Sequence, residues 1–509
     1  MSTMEIQFPF SLTTSFTLLL FLFLLIKEYT RSKYRNATQK LPPGPWKLPF
    51  IGNLHQLVGS LPHRSLQKLA QKYGPIMTLQ VGELSTVVIS SPRLAEEAMK
   101  KNGVAFANRP EVLMSKVIFY NSADLGSSKY GEYWRQMRKL FIMELLSSKK
   151  VHSFNALMEE EVSRLLSYIR SSEGLPINVS EKVASVSSSI TCRAVVGRRC
   201  KDQESITRLA KETASFAGVF NVGDVFPSLY LLDSILGSKP KLVKMHKKID
   251  NILEGIVREH EEDRLNSTCE SSEEDILDLF LRFKDEGEFQ FVITRDNIKA
   301  NIFELFTGGT DTSATVIEWA MAELMKNPRV MEKAQSEVRQ AFKGKENFTD
   351  SDIRKLNYLN MVIKESLRLH PPLPLLGARS CREKCTIDGY DIPVNTVALV
   401  NAWSIGRDPK YWHNPESFEP ERFSNSSVHY TGNHYEYLPF GAGRRVCPGI
   451  TFGVATVELV LAKLLYHFDW KLPDGISPED FDMTEKFGAT AGRKNSLYLI
   501  PKSYIPSDG

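Results

Sequence analysis

Residues 440–449 read FGAGRRVCPG, with one cysteine, Cys447, between a glycine–arginine loop and a proline–glycine step. Gly441-Ala442-Gly443 suggests a dinucleotide loop, but Val446 stands where GxGxxG needs its third glycine, and no βαβ pattern surrounds it. A zinc site needs partners at short spacing, and none flanks Cys447. Pro448 suits a first helical position, and ITFGVATVELVLAKLLYHF beyond it is a strongly apolar helix. Cys447 is therefore expected at a helix N-terminus, where the dipole and free backbone N–H groups favour a thiolate. Gly441, Gly443 and Gly449 let the backbone approach something large and flat, and Arg445 offers a cation to an acid group on it. A thiolate ligand to a haem iron, with propionates to neutralise, meets all of these demands.

The rest of the chain is compatible with such a site. At 509 residues and 42% hydrophobic content it can bury a large core. With 64 basic and 60 acidic residues it has no surplus for a dedicated nucleic-acid face. Its six cysteines are too few and too scattered for a disulfide framework, which points to a reducing compartment. Cys381 and Cys385 flank Arg-Glu-Lys with no matching pair elsewhere, and their spacing reads as incidental.

Residues 6–26 form a run of 21 without a charge, long enough as a helix to match a hydrocarbon core. The only charge before it is Glu5, whereas Lys27, Arg31, Lys33, Arg35 and Lys40 follow. That order predicts an uncleaved signal-anchor with the body on the cytosolic side. The expected division is a membrane anchor over 1–27, a basic and proline-rich hinge over 28–50, and a catalytic body over 51–509. Ile76–Val81 and Ser85–Ser90 read as two strands about a turn at Gly82, and most other periodic stretches read as helices. The fold class is mainly α with a minor β portion.

Three further stretches carry candidate chemistry. FTGGTDTS, residues 306–313, puts two adjacent glycines inside a helical span, each costing about 1 kcal/mol relative to alanine. Either helix packing or an opening toward a ligand explains them. In KESLRLHPP, Glu365 and Arg368 stand at i, i+3 on a helix ended by prolines, which alone reads as an exposed ion pair. In WRQMR, Trp134 and Arg138 point the same way, one turn apart.

FGAGRRVCPG resembles the haem-binding signature of the cytochrome P-450 family, complete in order and spacing, and the proline-rich hinge and final apolar helix extend the likeness over essentially the whole chain. LPPGPWKLP, YGEYWRQMRK, PERF and FDWKLPDG resemble the plant microsomal members, the A-type or 71 clan, and among them terpenoid oxidases. The resemblance implies a cytochrome P-450 fold and haem b, with Cys447 as the axial iron ligand. Phe440, Arg445 and Gly449 would belong to the haem loop, with Trp134 and Arg138 on the propionates and Arg379 a third candidate. It also implies that Gly308 and Gly309 open a helix for dioxygen, that Thr312 holds a proton-donating network and that Asp311 helps deliver protons. Gly308 departs from the family's common alanine. Glu365, Arg368 and Arg422 would form a buried cluster bracing the cysteine loop. For the substrate pocket it suggests Glu304, Thr307 and Gly308 on the helix, with Val117, Phe119, Leu375, Leu376 and Ala489 on three loops. Arg135, Lys139 and Arg444 are candidates for docking an acidic electron donor.

The activity expected is a monooxygenase that takes electrons from NADPH through a cytochrome P-450 reductase, with cytochrome b5 as a second donor. It would insert one oxygen atom from O2 into a lipophilic plant metabolite, foremost a sesqui- or diterpenoid, hydroxylated or epoxidised. The expected location is the endoplasmic reticulum membrane, with a single pass. Other readings are the same chemistry on an alkaloid or phenolic, a haem-thiolate isomerase, and a non-enzymatic haem carrier or sensor. Thr312 and Asp311 speak against the isomerase, and an opened helix against the carrier.

Overall fold

A computed structural model describes residue 15 and residues 40–197, 202–217, 221–235, 238–266, 274–287, 291–343, 350–473, 475–486, 488 and 490–505. The expected anchor, apart from residue 15, and the hinge up to residue 39 lie outside the described residues. From residue 41 the proline-rich segment is fastened to the body: Thr78 N–H donates to Pro43 O (2.8 Å), and Asn53 Nδ2 donates to Trp46 O (2.9 Å).

The first strands are β1 (Ile76–Val81) and β2 (Leu84–Ile89), antiparallel with Ile76 opposite Ile89. Gly82 turns the chain between them with φ 59°, a left-handed value that a residue without Cβ adopts freely. Helices α1 (Leu113–Ile118), α2 (Glu132–Leu140), α3 (Val179–Val196), α4 (Ser238–Asn266) and α5 (Ile276–Glu286) follow. The long α6 (Arg295–Lys326) crosses the interior and packs on α3. Its 32 residues span about 48 Å. A reciprocal cap starts it, Thr294 Oγ1 accepting from Asn297 N–H and Asn297 Oδ1 from Thr294 N–H, and Pro328 follows its end.

Helix α7 (Asn357–Leu369) leads into strand β3 (Arg379–Ser380), the hairpin of β4 (Cys385–Ile387) and β5 (Tyr390–Ile392), and β6 (Val397–Val400). The four-stranded sheet runs β1-β2-β6-β3, with β2 parallel to β6 and β3 antiparallel to it. The last long helix, α8 (Ile450–His467), has the length and composition of a membrane span, yet it is mostly buried against α6, α7 and Asn155–Ser171. It is a core helix. The described residues are thus mainly helical with a minor β portion, as the periodicity predicts.

Candidate active site

A cavity of about 330 Å³ lies between α6 and the loop that precedes α8. Gly308, Gly309, Thr312 and Ser313 line it from α6, while Phe440, Gly441, Cys447 and Gly449 line it from the loop. Cys447 N–H donates to Phe440 O (3.0 Å), which closes the loop under the sulfur. Gly443 has φ 65°, and a Cβ there would run into the Met99 carbonyl oxygen, so only glycine fits.

The helix expected at Pro448 starts later. Gly449 is the N-cap and Ile450 the first helical residue, which leaves Cys447 two residues ahead of the cap. Burial pushes its thiol above the usual range, against the opposing pull of Gly449 N–H and the Arg138 charge. The helix terminus alone therefore does not make a thiolate. A coordinated cation would, because a ligating thiol is deprotonated outright.

Four guanidinium groups reach the same cavity, from Arg109, Arg138, Arg379 and Arg445. Arg445, expected to meet an acid group, spends its donors on main-chain carbonyls: Ala107 O (2.8 Å), Leu125 O (3.1 Å) and Ser128 O (2.5 Å). Its role toward an occupant is thus its charge. Arg379 Nη2 donates to Ala442 O (2.9 Å), while its Nη1 and the Trp134 indole N–H are buried with no hydrogen-bond partner among the described residues. Burial and the neighbouring guanidinium of Arg109 lower Arg379 to about 9, and burial with Arg109 and Arg379 does the same to Arg445. Glu304 does not neutralise them. Burial, then the Asp124 carboxylate, pushes its carboxyl up to about 8, and it accepts Leu125 N–H at 2.9 Å. Crowded cations and orphaned donors together call for an anionic occupant.

The two glycines of α6 divide the readings between them. A Cβ at Gly309 would meet Thr191 Oγ1 at 2.9 Å and its methyl at 3.0 Å, so Gly309 is the packing glycine against α3. A Cβ at Gly308 would meet nothing within 4 Å, and Gly308 faces the cavity. Thr312 Oγ1 donates to Gly308 O (2.6 Å), at the cavity wall. Asp311 lies beside that wall and accepts from Thr490 Oγ1 (2.5 Å).

The Glu365–Arg368 pair is fully buried, unlike the exposed pair that its spacing alone suggests and in line with the buried cluster that the family resemblance implies. Arg368 Nε and Nη2 reach Glu365 Oε2 and Oε1, each at 2.8 Å, and Arg422 Nε reaches Oε1 at 2.9 Å. Arg368 also donates to Gly406 O (2.6 Å), Pro415 O (2.7 Å) and Ser417 O (3.0 Å), and Arg422 to His413 O (2.6 Å). Two cations on one carboxylate clamp segment 406–417 onto α7. His370 is buried, stacked on Trp319 and bonded to Glu323 Oε1 at 2.7 Å.

Of the expected pocket residues, Glu304, Gly308 and Leu376 line the cavity, and four others do not. Phe119 packs on Phe303 (5.8 Å between centroids). Val117 packs on the helical core, and Leu375 turns to the apolar cluster beside β1. Thr307 Oγ1 donates back to Glu304 O (2.9 Å). Ala489 lies outside the described residues. Of the proposed docking cations, Arg135, Lys139 and Arg444 are exposed, and Arg135 and Arg444 flank the Tyr130 ring.

A profile of the cytochrome P-450 family matches residues 42–498. The chain belongs to that family. This cytochrome P-450 is 50% identical to premnaspirodiene oxygenase of Hyoscyamus muticus, over 98% of its own length and 99% of the relative's. It is 49% identical to alstonine synthase of Alstonia scholaris (98% of each chain) and to germacrene A hydroxylase of Barnadesia spinosa (97% and 98%). A solved zebrafish cytochrome P-450 with progesterone has the same fold, with a TM-score of 0.75 at 23% identity, covering 87% of this chain and 100% of that one. The enzyme is therefore a haem-thiolate monooxygenase supplied with electrons by a reductase. The cavity fits haem: a lone sulfur at the loop, unpartnered donors on Trp134 and Arg379, and an excess of buried positive charge for two carboxylates. Arg109 escaped the sequence reading because FANRPE carries no periodicity or spacing that singles it out. In the structure it ties Gly126 O (2.8 Å) to Gly377 O (2.5 Å) and Ala378 O (2.7 Å) across the cavity rim.

Proposed function

We propose that this cytochrome P-450 hydroxylates or epoxidises a sesqui- or diterpenoid. The observation that carries the reading is the 50% identity, over nearly the full length of both chains, to an oxygenase named for premnaspirodiene. The apolar part of the cavity wall supports it. Leu305, Val316, Ile363, Leu367 and Leu376 line the cavity, and a hydrocarbon gains about 25 cal/mol per Å² buried on such a surface.

Bound haem would supply the reductive activation of dioxygen, with Cys447 as its sulfur ligand. Trp134 Nε1 and Arg379 Nη1 would receive its carboxylates, with Arg138 and Arg445 balancing their charge. Gly308 leaves space at the wall where a side chain would intrude. Thr312 Oγ1 holds a proton at that wall, and Asp311 passes protons from the Thr490 side. The cluster of Glu365, Arg368 and Arg422 has a structural role only.

Residues 6–26 anchor the protein in the endoplasmic reticulum membrane with the body cytosolic, supported by the charge order in the sequence. Cytochrome b5 is a second electron donor beside the reductase, and Arg135, Lys139 and Arg444 receive such partners. Alkaloids and phenolics form the second substrate reading, kept because the relative named for alstonine is nearly as similar.

The test is expression with a plant reductase, NADPH and a panel of terpene olefins, alkaloids and phenolics. Oxygenated terpenes are the expected product. Turnover of alkaloids or phenolics alone overturns the terpenoid reading, and turnover without NADPH overturns the monooxygenase.

A further inference from the structure

The cysteines at 381 and 385, whose spacing read as incidental, meet in the structure. Their sulfur atoms lie 3.9 Å apart across the turn between β3 and β4. Cys381 is fully buried and Cys385 half-buried. Cys381 Sγ also contacts Glu383 O (3.0 Å), so the turn folds its own carbonyl onto the thiol pair. The three residues between them, Arg382, Glu383 and Lys384, are exposed.

We propose that Cys381 and Cys385 form a redox-active dithiol that closes reversibly to a disulfide by exchange with a small anionic disulfide of the glutathione type. A body in a reducing compartment holds no permanent bridge, and disulfides there are transient or redox-sensing. Cys385 is the more exposed of the two residues, and the Arg382 charge on the same turn favours an anionic reagent, with Glu383 beside it and Lys384 paired to Asp391 Oδ1 at 3.5 Å. The Cys385 thiolate attacks one sulfur of the small disulfide, the S–S bond breaks, and the first thiolate leaves and takes up a proton. The Cys381 thiolate then attacks Cys385 Sγ in the mixed disulfide and expels the second thiolate. Two protein thiols lose two electrons, and the reagent is reduced to two thiols.

The geometry suits this order. Cys381 is the better resolving group: the sulfur–sulfur hydrogen bond holds it below the usual thiol range and, with burial, pushes Cys385 above it, so Cys385 attacks as its proton passes to Cys381 and from there to the departing thiolate. Its backbone is pinned on both sides, its N–H donating to Thr396 O (2.9 Å) and its O accepting from Asn395 N–H (2.7 Å). Closing the sulfurs from 3.9 Å to a bond of about 2.05 Å therefore moves the exposed turn and Cys385, while Arg379 on β3 stays in place. The turn lies at the edge of the basic face: Arg382 is 5.5 Å from the Tyr130 ring that Arg135 and Arg444 also flank.

The test uses the full-length haem protein, incubated with oxidised glutathione, blocked with N-ethylmaleimide and cut with chymotrypsin. The peptide spanning 377–390 should lack the mass of two hydrogen atoms, carry no maleimide, and regain both thiols with dithiothreitol, while haem content is unchanged. C381S should stop at a glutathione adduct on Cys385, and C385S should give neither adduct nor bridge. A wild-type peptide with both cysteines alkylated, or with a lasting glutathione adduct and no bridge, overturns the proposal. The wild-type peptide alone decides the matter where a variant does not fold.

Discussion

Thr312 and Glu304 lie about two turns apart on α6, and their protons have opposite fates. Thr312 presents a hydroxyl to the cavity wall, so Thr312→Ala should leave haem content near normal while diverting electrons from product to peroxide. The check is the ratio of product to NADPH consumed, and an unchanged ratio rules out the relay. Glu304 is held protonated, up to about 8, by burial and by Asp124. In the unfolded chain the same carboxyl ionises near 4.3. Its contribution to stability is complete below the unfolded value and is lost as pH rises through about 8. Glu304→Gln cannot ionise, so its unfolding temperature should fall less than the wild type's as pH rises across that window; parallel curves would contradict this. At this scale the sequence was uneven. Cys447 stood out because its neighbours form a ten-residue pattern, whereas the orphaned donor on Arg379 and the saturated ones on Arg445 depend on carbonyls brought in from segments 107–128 and 442, which no local pattern reveals.

Helix α6 turns two identical residues into different devices. Gly309→Ala presses a methyl group onto Thr191, which is buried and already donates to Ser187 O at 2.9 Å, so it cannot turn away without losing that bond. Overpacking of this kind costs typically 1–3 kcal/mol, more than the roughly 1 kcal/mol that alanine gains over glycine in a helix. Gly308→Ala meets open space, so the helix gain stands while the cavity narrows. Chemical unfolding of both variants should show Gly309→Ala less stable than the wild type and Gly308→Ala equal or more stable; the reverse order would refute the division. The helical character of this stretch and the hairpin turn at Gly82 were legible in the sequence, whereas the reciprocal cap of Thr294 and Asn297 that starts the helix came from the structure. Which glycine packs and which opens was not legible, since it depends on α3.

Across the whole molecule, one cavity draws walls from α2, α6, β3 and the loop before α8, and a buried carboxylate with two arginines clamps the segment that leads into that loop. The helical class, the two strands and the family were readable from periodicity and from one signature. The depth of Glu365 was readable only through the family resemblance, because an i, i+3 pair by itself looks the same exposed or buried until segment 406–417 wraps it. The same holds for Val117 and Leu375, apolar residues on the expected loops whose direction is set by partners distant in sequence. The lone sulfur at the cavity loop makes Cys447 the residue proposed to hold the haem iron. The most direct measurement is the absorption spectrum of the reduced carbon monoxide adduct of the wild type and of Cys447→Ser. The wild type should give the thiolate-type spectrum and the serine variant should lose it, since a hydroxyl does not replace a soft anionic sulfur. A Cys447→Ser protein that retains the thiolate-type spectrum would contradict the assignment.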